Sequence, residues 1–209
     1  MPVIVIANPK GGVGKSTIAT NLSGYFASRG HNVMIGDVDK QESAKKWLNL
    51  RPEQAWPIST WNVNADYIAK PPRGTTHVVL DTPAGLHGWR FNDVLRMANK
   101  IIVPIQPSLF DISATAAFLE SLKDERSVRN QEVQVGLVGM RVDSRARSTE
   151  QLTNFINSLN FPFLGNLRNT QNYVQLAAHG LTLWDVAPGK VERDLLQWQN
   201  ILDWVDQED

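Results

Sequence analysis

Near its start the chain reads Val3-Ile4-Val5-Ile6-Ala7-Asn8-Pro9-Lys10-Gly11-Gly12-Val13-Gly14-Lys15-Ser16-Thr17. Val3 to Ile6 is a run of β-branched residues and reads as a buried strand. The loop that follows is rich in glycine, which lets backbone N–H groups turn inward and cradle phosphate oxygens. A helix opening near Lys15 adds the positive end of its dipole. The phosphate-loop pattern G-x-x-x-x-G-K-[ST] is met by Gly14-Lys15-Ser16, with Pro9 at its first glycine position. Lys15 is expected to reach the β- and γ-phosphates, and the Ser16 hydroxyl to ligate Mg²⁺. A glycine-rich turn can arise by chance; the strand before this one and the helix after it give the motif its required setting.

Outward from the loop, strands and helices alternate. Thr17 to Ser28 has helical spacing through Ile18, Leu22, Tyr25 and Phe26, and Arg29-Gly30 closes it with a cation and a C-terminal glycine. Strands are expected at Asn32 to Asp37, His77 to Asp81, Lys100 to Gln106, Val133 to Val142 and Phe163 to Leu167. Helices are expected at Gln41 to Leu50, Asp111 to Lys123, Arg147 to Leu159, Thr170 to His179 and Val191 to Val205. Arg51 to Arg73 is richer in Pro and Trp; a short strand at Ile58 to Trp61 and a loop at Pro71-Pro72-Arg73-Gly74 are expected there. Most strands are apolar on both faces. That predicts an α/β fold: a mostly parallel twisted sheet with helices on both faces. No repeat, low-complexity tract or linker divides the chain, so residues 1–209 are expected to form a single domain.

Composition narrows the function. The chain has 209 residues, 42% hydrophobic and 20% charged, which is ordinary for a globular domain. Lys+Arg and Asp+Glu are both 21. Nucleic-acid binding must therefore come from a local patch or one built by a dimer, not from net charge. The absence of cysteine excludes disulfides, thiolate metal sites and cysteine-held iron–sulfur clusters. The run Val3 to Ala7 is too short for a signal peptide, and no stretch reaches a membrane span. The expected location is the cytoplasm.

Two carboxylate motifs accompany the loop. Gly36-Asp37-Val38-Asp39-Lys40-Gln41 follows the second strand, and its acids at i, i+2 face one side. Beside phosphates such a pair can hold Mg²⁺ or orient a water. Leu80-Asp81-Thr82-Pro83-Ala84-Gly85 ends a buried strand in an acid, the position of a Walker B aspartate that holds Mg²⁺. A capped turn would use the same residue types in either place.

The second lysine, Lys10, in the form K-G-G-x-G-K-[ST], makes the loop resemble the deviant Walker A loop of the ParA/MinD branch of P-loop ATPases. The resemblance extends to Leu183-Trp184-Asp185 and is to the small ParA-type partition ATPases, which lack an N-terminal DNA-reading extension. It implies the P-loop NTPase fold and ATP hydrolysis with Mg²⁺. It implies nucleotide contacts from Lys10, Gly11, Gly12, Val13, Gly14, Lys15, Ser16, Thr17, Asp37 and Asp81, with Ser16 and Asp81 at the metal. Lys10 would reach the partner's phosphates across a nucleotide-sandwich dimer. Asp37-Val38-Asp39-Lys40-Gln41 resembles the family's D-x-D-P-Q switch with Lys40 replacing proline, so Asp39 would orient the attacking water. Thr82 to Gly85 looks like the second switch. Pro104 to Ser108, including Pro107, resembles the segment near the base and the dimer interface. Met140 stands where relatives carry an adenine-contacting asparagine.

Family members dimerise on ATP and bind DNA without sequence preference. A cargo-bound adaptor protein stimulates hydrolysis, and the cargo is a plasmid or a protein assembly. The resemblance thus implies a slow switch associated with the nucleoid. Candidate DNA contacts are Arg141, Arg145, Arg147, Arg168, Lys190 and Arg193, since phosphate contacts need only cations; scattered surface charge is the alternative. Trp198 and Trp204 share helical spacing with Leu195, Ile201, Leu202 and Val205 and read as packing. Trp56, Trp61 and Trp89 could serve a partner interface. His31, His77, His87 and His179 lack metal-ligand spacing. A membrane-bound regulator like MinD needs a basic amphipathic C-terminal helix, whereas Trp204-Val205-Asp206-Gln207-Glu208-Asp209 is acidic. An accessory ATPase of a secretion or polysaccharide-synthesis system, with a protein partner and no DNA, remains the alternative function.

Overall fold

A computed structural model of the chain describes residues 1–38, 42–61, 63–64, 67–85 and 89–207. Its centre is a seven-stranded, all-parallel sheet. The strands are β1 (Val3–Ile6), β2 (Val33–Asp37), β3 (Ile58–Ser59), β6 (His77–Asp81), β7 (Lys100–Ile105), β8 (Gln134–Val142) and β9 (Phe163–Arg168). Their order is β3-β2-β6-β1-β7-β8-β9. A second, two-stranded antiparallel sheet pairs β4 (Val63–Asn64) with β5 (Tyr67–Ile68). The helices are α1 (Lys15–Ser28), α2 (Ser43–Asn49), α3 (Trp89–Met97), α4 (Leu109–Asp124), α5 (Arg126–Arg129), α6 (Arg147–Asn157), α7 (Gln171–Ala177) and α8 (Pro188–Asp206). A 3₁₀ turn covers Leu183–Asp185.

The period-2 alternation of each strand sends neighbouring side chains into different layers. Ile4, Ile6, Val79, Ile102 and Val138 join Ile18, Leu22, Phe26 and Trp198 in the layer under α1, α7 and α8. Val3, Val5, Leu80, Ile101 and Leu137 join Val94, Leu119 and Leu152 under α3, α4 and α6. Because both faces are covered, the strands carry no polar alternation, as the sequence predicts. Trp198 is fully buried and Trp204 nearly so, in agreement with their reading as packing residues.

Helix α3 has no counterpart among the expected elements, although Phe91, Val94, Leu95 and Ala98 fall at i, i+3, i+4 and i+7 and are all buried. The signal was present and short. The β4–β5 pair and the one-turn α5 also escape periodicity, which needs longer windows. Lys100 sits buried at the start of β7, and its Nζ donates to the carbonyls of Trp204 (3.1 Å) and Val205 (3.3 Å). It thereby satisfies the open end of α8.

At the N-terminal edge of the sheet, His77 stacks on His31 with ring centroids 4.0 Å apart and on Phe26 at 4.4 Å. Burial, and then the neighbouring His31, push the His77 imidazole down from 6.5 to about 4, against the opposing pull of Asp206. The folded state thus holds His77 neutral while the unfolded chain takes up its proton near pH 6.5. The stability this neutral ring carries is complete above about pH 6.5 and is lost as pH falls towards about 4. Half-exposure discounts the effect to about 1 kcal/mol. His77→Phe should therefore lose less stability than the wild type between pH 7 and pH 4.5, as read from urea midpoints. Equal losses would show that the ring titrates as it does in the unfolded chain.

Candidate nucleotide site

Three strands end together and bring the sequence motifs into one place. In register, Ile6 stands beside Asp81, and Asp37 beside Asp81 from the other side. The loop after β1 therefore emerges next to both carboxylates. Val38 N–H donates to the Asp81 carbonyl at 2.9 Å, which carries the pairing one residue past β2.

The loop has the backbone its glycines allow. Gly12 and Gly14 have φ of 74° and 103°, in the left-handed region that side chains disfavour. A Cβ on Gly12 would meet nothing within 4 Å, so the loop is open on that side. Gly14 is the N-cap of α1, and no side chain caps that helix. The head of a helix without a side-chain cap suits an anion. Lys15 is buried, and its Nζ donates to the carbonyls of Lys10 (2.7 Å) and Asn8 (3.1 Å). The ammonium is thus folded back over the loop. Val13 is buried beneath it, whereas Gly11 and Gly12 are exposed. Ser16 and Thr17 are half-buried at the head of α1, and Lys10 is half-buried beside the glycines.

The supporting contacts were not read from the sequence. Asn8 is buried; its Nδ2 donates to Pro104 O (2.8 Å) and Thr115 Oγ1 (2.9 Å), and its Oδ1 accepts from Lys10 N–H (2.8 Å). One amide side chain thus fixes the loop to β7 and α4. Gln106 Nε2 donates to Gly12 O (2.8 Å), and Gly85 N–H to Pro9 O (2.9 Å), which ties the segment after Asp81 to the loop. Thr82 Oγ1 donates to Ile6 O at 2.8 Å.

The carboxylates differ in role. Asp81 is buried at the end of β6. Asp37 Oδ2 accepts from Ala44 N–H (2.7 Å) and Lys45 N–H (3.2 Å) and so holds the first turn of α2. Asp39, with Lys40 and Gln41, lies outside the described residues, as do His87 and the side chain of Trp89. Met140 is buried at the end of β8 and packs against Gly14: a Cβ there would stand 2.5 Å from Met140 Cε. Its thioether forms an apolar wall beside the loop, with Pro107 half-buried after β7.

The candidate DNA-binding cations fall on β8, β9, α6, α8 and the β8–α6 connection. A bulge after Met140 gives Arg141 a φ of 52°, and Arg141, Arg145 and Arg147 are exposed in the β8–α6 connection. Lys190 and Arg193 are exposed on the first turns of α8, which packs on β9. Arg168 is held differently. Its Nε donates to Asp194 Oδ1 at 2.6 Å, and Asp194, fully buried, also accepts from Asn172 Nδ2. Its charge is matched within the fold.

The model of the CobQ/CobB/MinD/ParA nucleotide binding domain family matches residues 4–183. The chain belongs to this family. Among its relatives is the maintenance of carboxysome distribution protein A of Halothiobacillus neapolitanus, 26% identical over 191 residues that cover 88% of this chain and 87% of that protein. The chromosome-partitioning ATPase Soj of Thermus thermophilus is 26% identical over 182 residues, 71% of this chain and 73% of Soj. A putative plasmid partition protein of Borrelia burgdorferi bound to AMPPNP superposes with a TM-score of 0.72 at 17% identity, over 97% of this chain and 99% of that one. That likeness shows a shared fold, the P-loop α/β sheet of ParA and MinD. Among the described residues no helix is long and apolar enough to cross a membrane, and no cluster of three His, Asp or Glu could hold a metal unaided.

Proposed function

We propose that the chain is a single-domain ATPase of the positioning type, a dimerising switch that hydrolyses ATP and carries or spaces a cargo along nonspecific DNA. The observation that carries the ATPase reading is the uncapped head of α1, wrapped by glycines and closed by the buried Lys15, beside two strand-end carboxylates. The loop amides and Lys15 bind the phosphates. Ser16 and Asp81 are the residues that would hold Mg²⁺, which when bound neutralises phosphate charge. Oxygen donors at a strand end suit that ion. Asp39 orients the attacking water, and Lys10 serves the partner's phosphates. Asp37 reports the state of the site to α2. Met140 and Pro107 give the base apolar walls.

The positioning role draws on the relatives, one named for carboxysome distribution and one for chromosome partitioning. The exposed cations of β8, α6 and α8 support a DNA surface, which a dimer would double. A cargo-bound adaptor would stimulate turnover in a cytoplasmic, nucleoid-associated cycle.

Binding to random duplex DNA, measured with Mg-ATP, Mg-ADP and no nucleotide at two salt concentrations, tests this reading. Affinity should appear with ATP and fall steeply with salt. Asp39→Ala should hold the ATP-bound, DNA-bound dimer and turn over at least tenfold more slowly. Absence of DNA binding in every state would transfer the proposal to an accessory ATPase with a protein partner. Normal turnover by the variant would remove Asp39 from the mechanism.

A further inference from the structure

A cavity of about 290 Å³ opens between α1, α2 and α7, on the flank of the phosphate-loop helix. For scale, an apolar cavity of about 150 Å³ takes up a benzene molecule. Thr17, Thr20 and Asn21 form its α1 wall, and Tyr173 and Ala177 its α7 wall. Lys46, Trp47 and Leu50, at helical spacing, form the third. Much of the polar lining is already spent. Thr20 Oγ1 donates to Ser16 O (2.8 Å), Asn21 bonds Thr17 O (2.9 Å) and Leu183 N–H (3.1 Å), and Tyr173 OH accepts from Trp198 Nε1 (2.9 Å).

Two donors remain. Trp47 is buried, and its indole N–H has no acceptor among the described residues. A buried donor without an acceptor is unfavourable and rare, and calls for explanation. Lys46 lines the same cavity, is exposed and, unlike Lys45, which pairs with Glu42 at 2.8 Å, makes no ion pair among the described residues. Leu50, which also lines the cavity, is 56% exposed. A largely apolar hole lined by an exposed cation and by a buried donor that has no acceptor fits an apolar side chain that carries an anion next to it.

We propose that this cavity is a docking socket for a partner protein's segment in which a large apolar side chain is followed by a carboxylate. The apolar group fills the space between the helices, and the carboxylate meets Lys46 and the Trp47 indole N–H. Charge complementarity at Lys46 selects an acidic segment over a basic one. The inference goes beyond the ATP-switch reading; the cavity shares Ser16 and Thr17 with the nucleotide site, so its test is made without nucleotide.

The test is a titration of the full chain with an acetylated, amidated hexapeptide containing phenylalanine followed by aspartate between glycine and serine residues. The indole N–H resonance of Trp47, assigned by its loss in Trp47→Phe, is followed by NMR. It should move on titration to millimolar peptide. Asparagine for aspartate in the peptide, or Lys46→Ala in the protein, should weaken binding at least fivefold. Ala177→Trp, at an exposed position on the mouth, should abolish it while leaving the other indole resonances in place. An unmoved resonance overturns the proposal, as does equal binding of the asparagine peptide. Phenylpropionate binding as tightly as the peptide would also overturn it, by making the occupant a small carboxylic acid.

Discussion

Lys15→Gln should lower the affinity for Mg-ATP at least a hundredfold while leaving the chain folded. In the structure the ammonium lies over the loop, held by the carbonyls of Asn8 and Lys10. Its position is set before any ligand arrives, so little ordering cost is left for binding. Hydrogen bonds to charged groups contribute about 1.5–3 kcal/mol each. With three N–H donors, the ammonium exchanges one carbonyl contact to give phosphate oxygens two hydrogen bonds, and their loss removes about 3–6 kcal/mol, a factor of roughly 10² to 10⁴. Glutamine keeps an N–H donor for one carbonyl, so the urea midpoint should change little. Isothermal titration with ATP, alongside urea unfolding of the same variant, separates the two effects. Unchanged affinity in a folded variant would leave phosphate binding to the amides of the loop alone and take Lys15 out of the site.

The residues behind that prediction lie in a row in the sequence. A phosphate loop is local: its strand, glycines, lysine and helix lie within one short stretch, and each residue type has a reason that needs no distant partner. The strands carrying Asp37 and Asp81 were legible for the same reason, since a β-branched run ending in an acid is a local pattern. Their meeting with the loop was legible only as an inference from an alternating α/β order. The clamps that hold the loop are of another kind. Asn8 reaches Thr115 across 107 residues, and Gln106 reaches Gly12 across 94. No periodicity records such pairs. Arg168 shows the converse. In sequence it was one more cation, and only the fold reveals Asp194 beneath it. Asp37 was read as a ligand of the nucleotide site, while its carboxylate also binds the amides of α2, a task that the spacing of the two acids does not announce.

The largest stability effect is expected at a position that the sequence did not single out. Arg51→Met should destabilise the fold by about 3–5 kcal/mol, the usual cost of removing one partner of a buried ion pair. Every N–H of this guanidinium is used. Nε and one terminal nitrogen donate to Trp56 O at 2.9 and 2.8 Å. The terminal nitrogens also meet Asp185 Oδ1 and Oδ2 at 2.8 and 3.0 Å, and one reaches Gly180 O at 2.8 Å. The two side chains are only 5% and 1% exposed, so water cannot replace the lost bonds. Asp185 meanwhile caps its own turn by accepting from Thr182 N–H at 2.7 Å, and it would be left with a buried charge. Methionine keeps much of the apolar stem but not the guanidinium carbon 5.3 Å above the Trp47 ring, so the loss covers the charge, its bonds and that cation–π contact. Because α2 is held at its start by Asp37 and just past its end by Arg51, the damage should concentrate there. Hydrogen exchange in the variant should accelerate first at the amides of residues 44–51 and 180–185. A loss under about 1 kcal/mol would mean that the pair behaves as an exposed one. Uniform exchange across all helices would mean instead that Arg51 supports the whole fold and not the seating of α2.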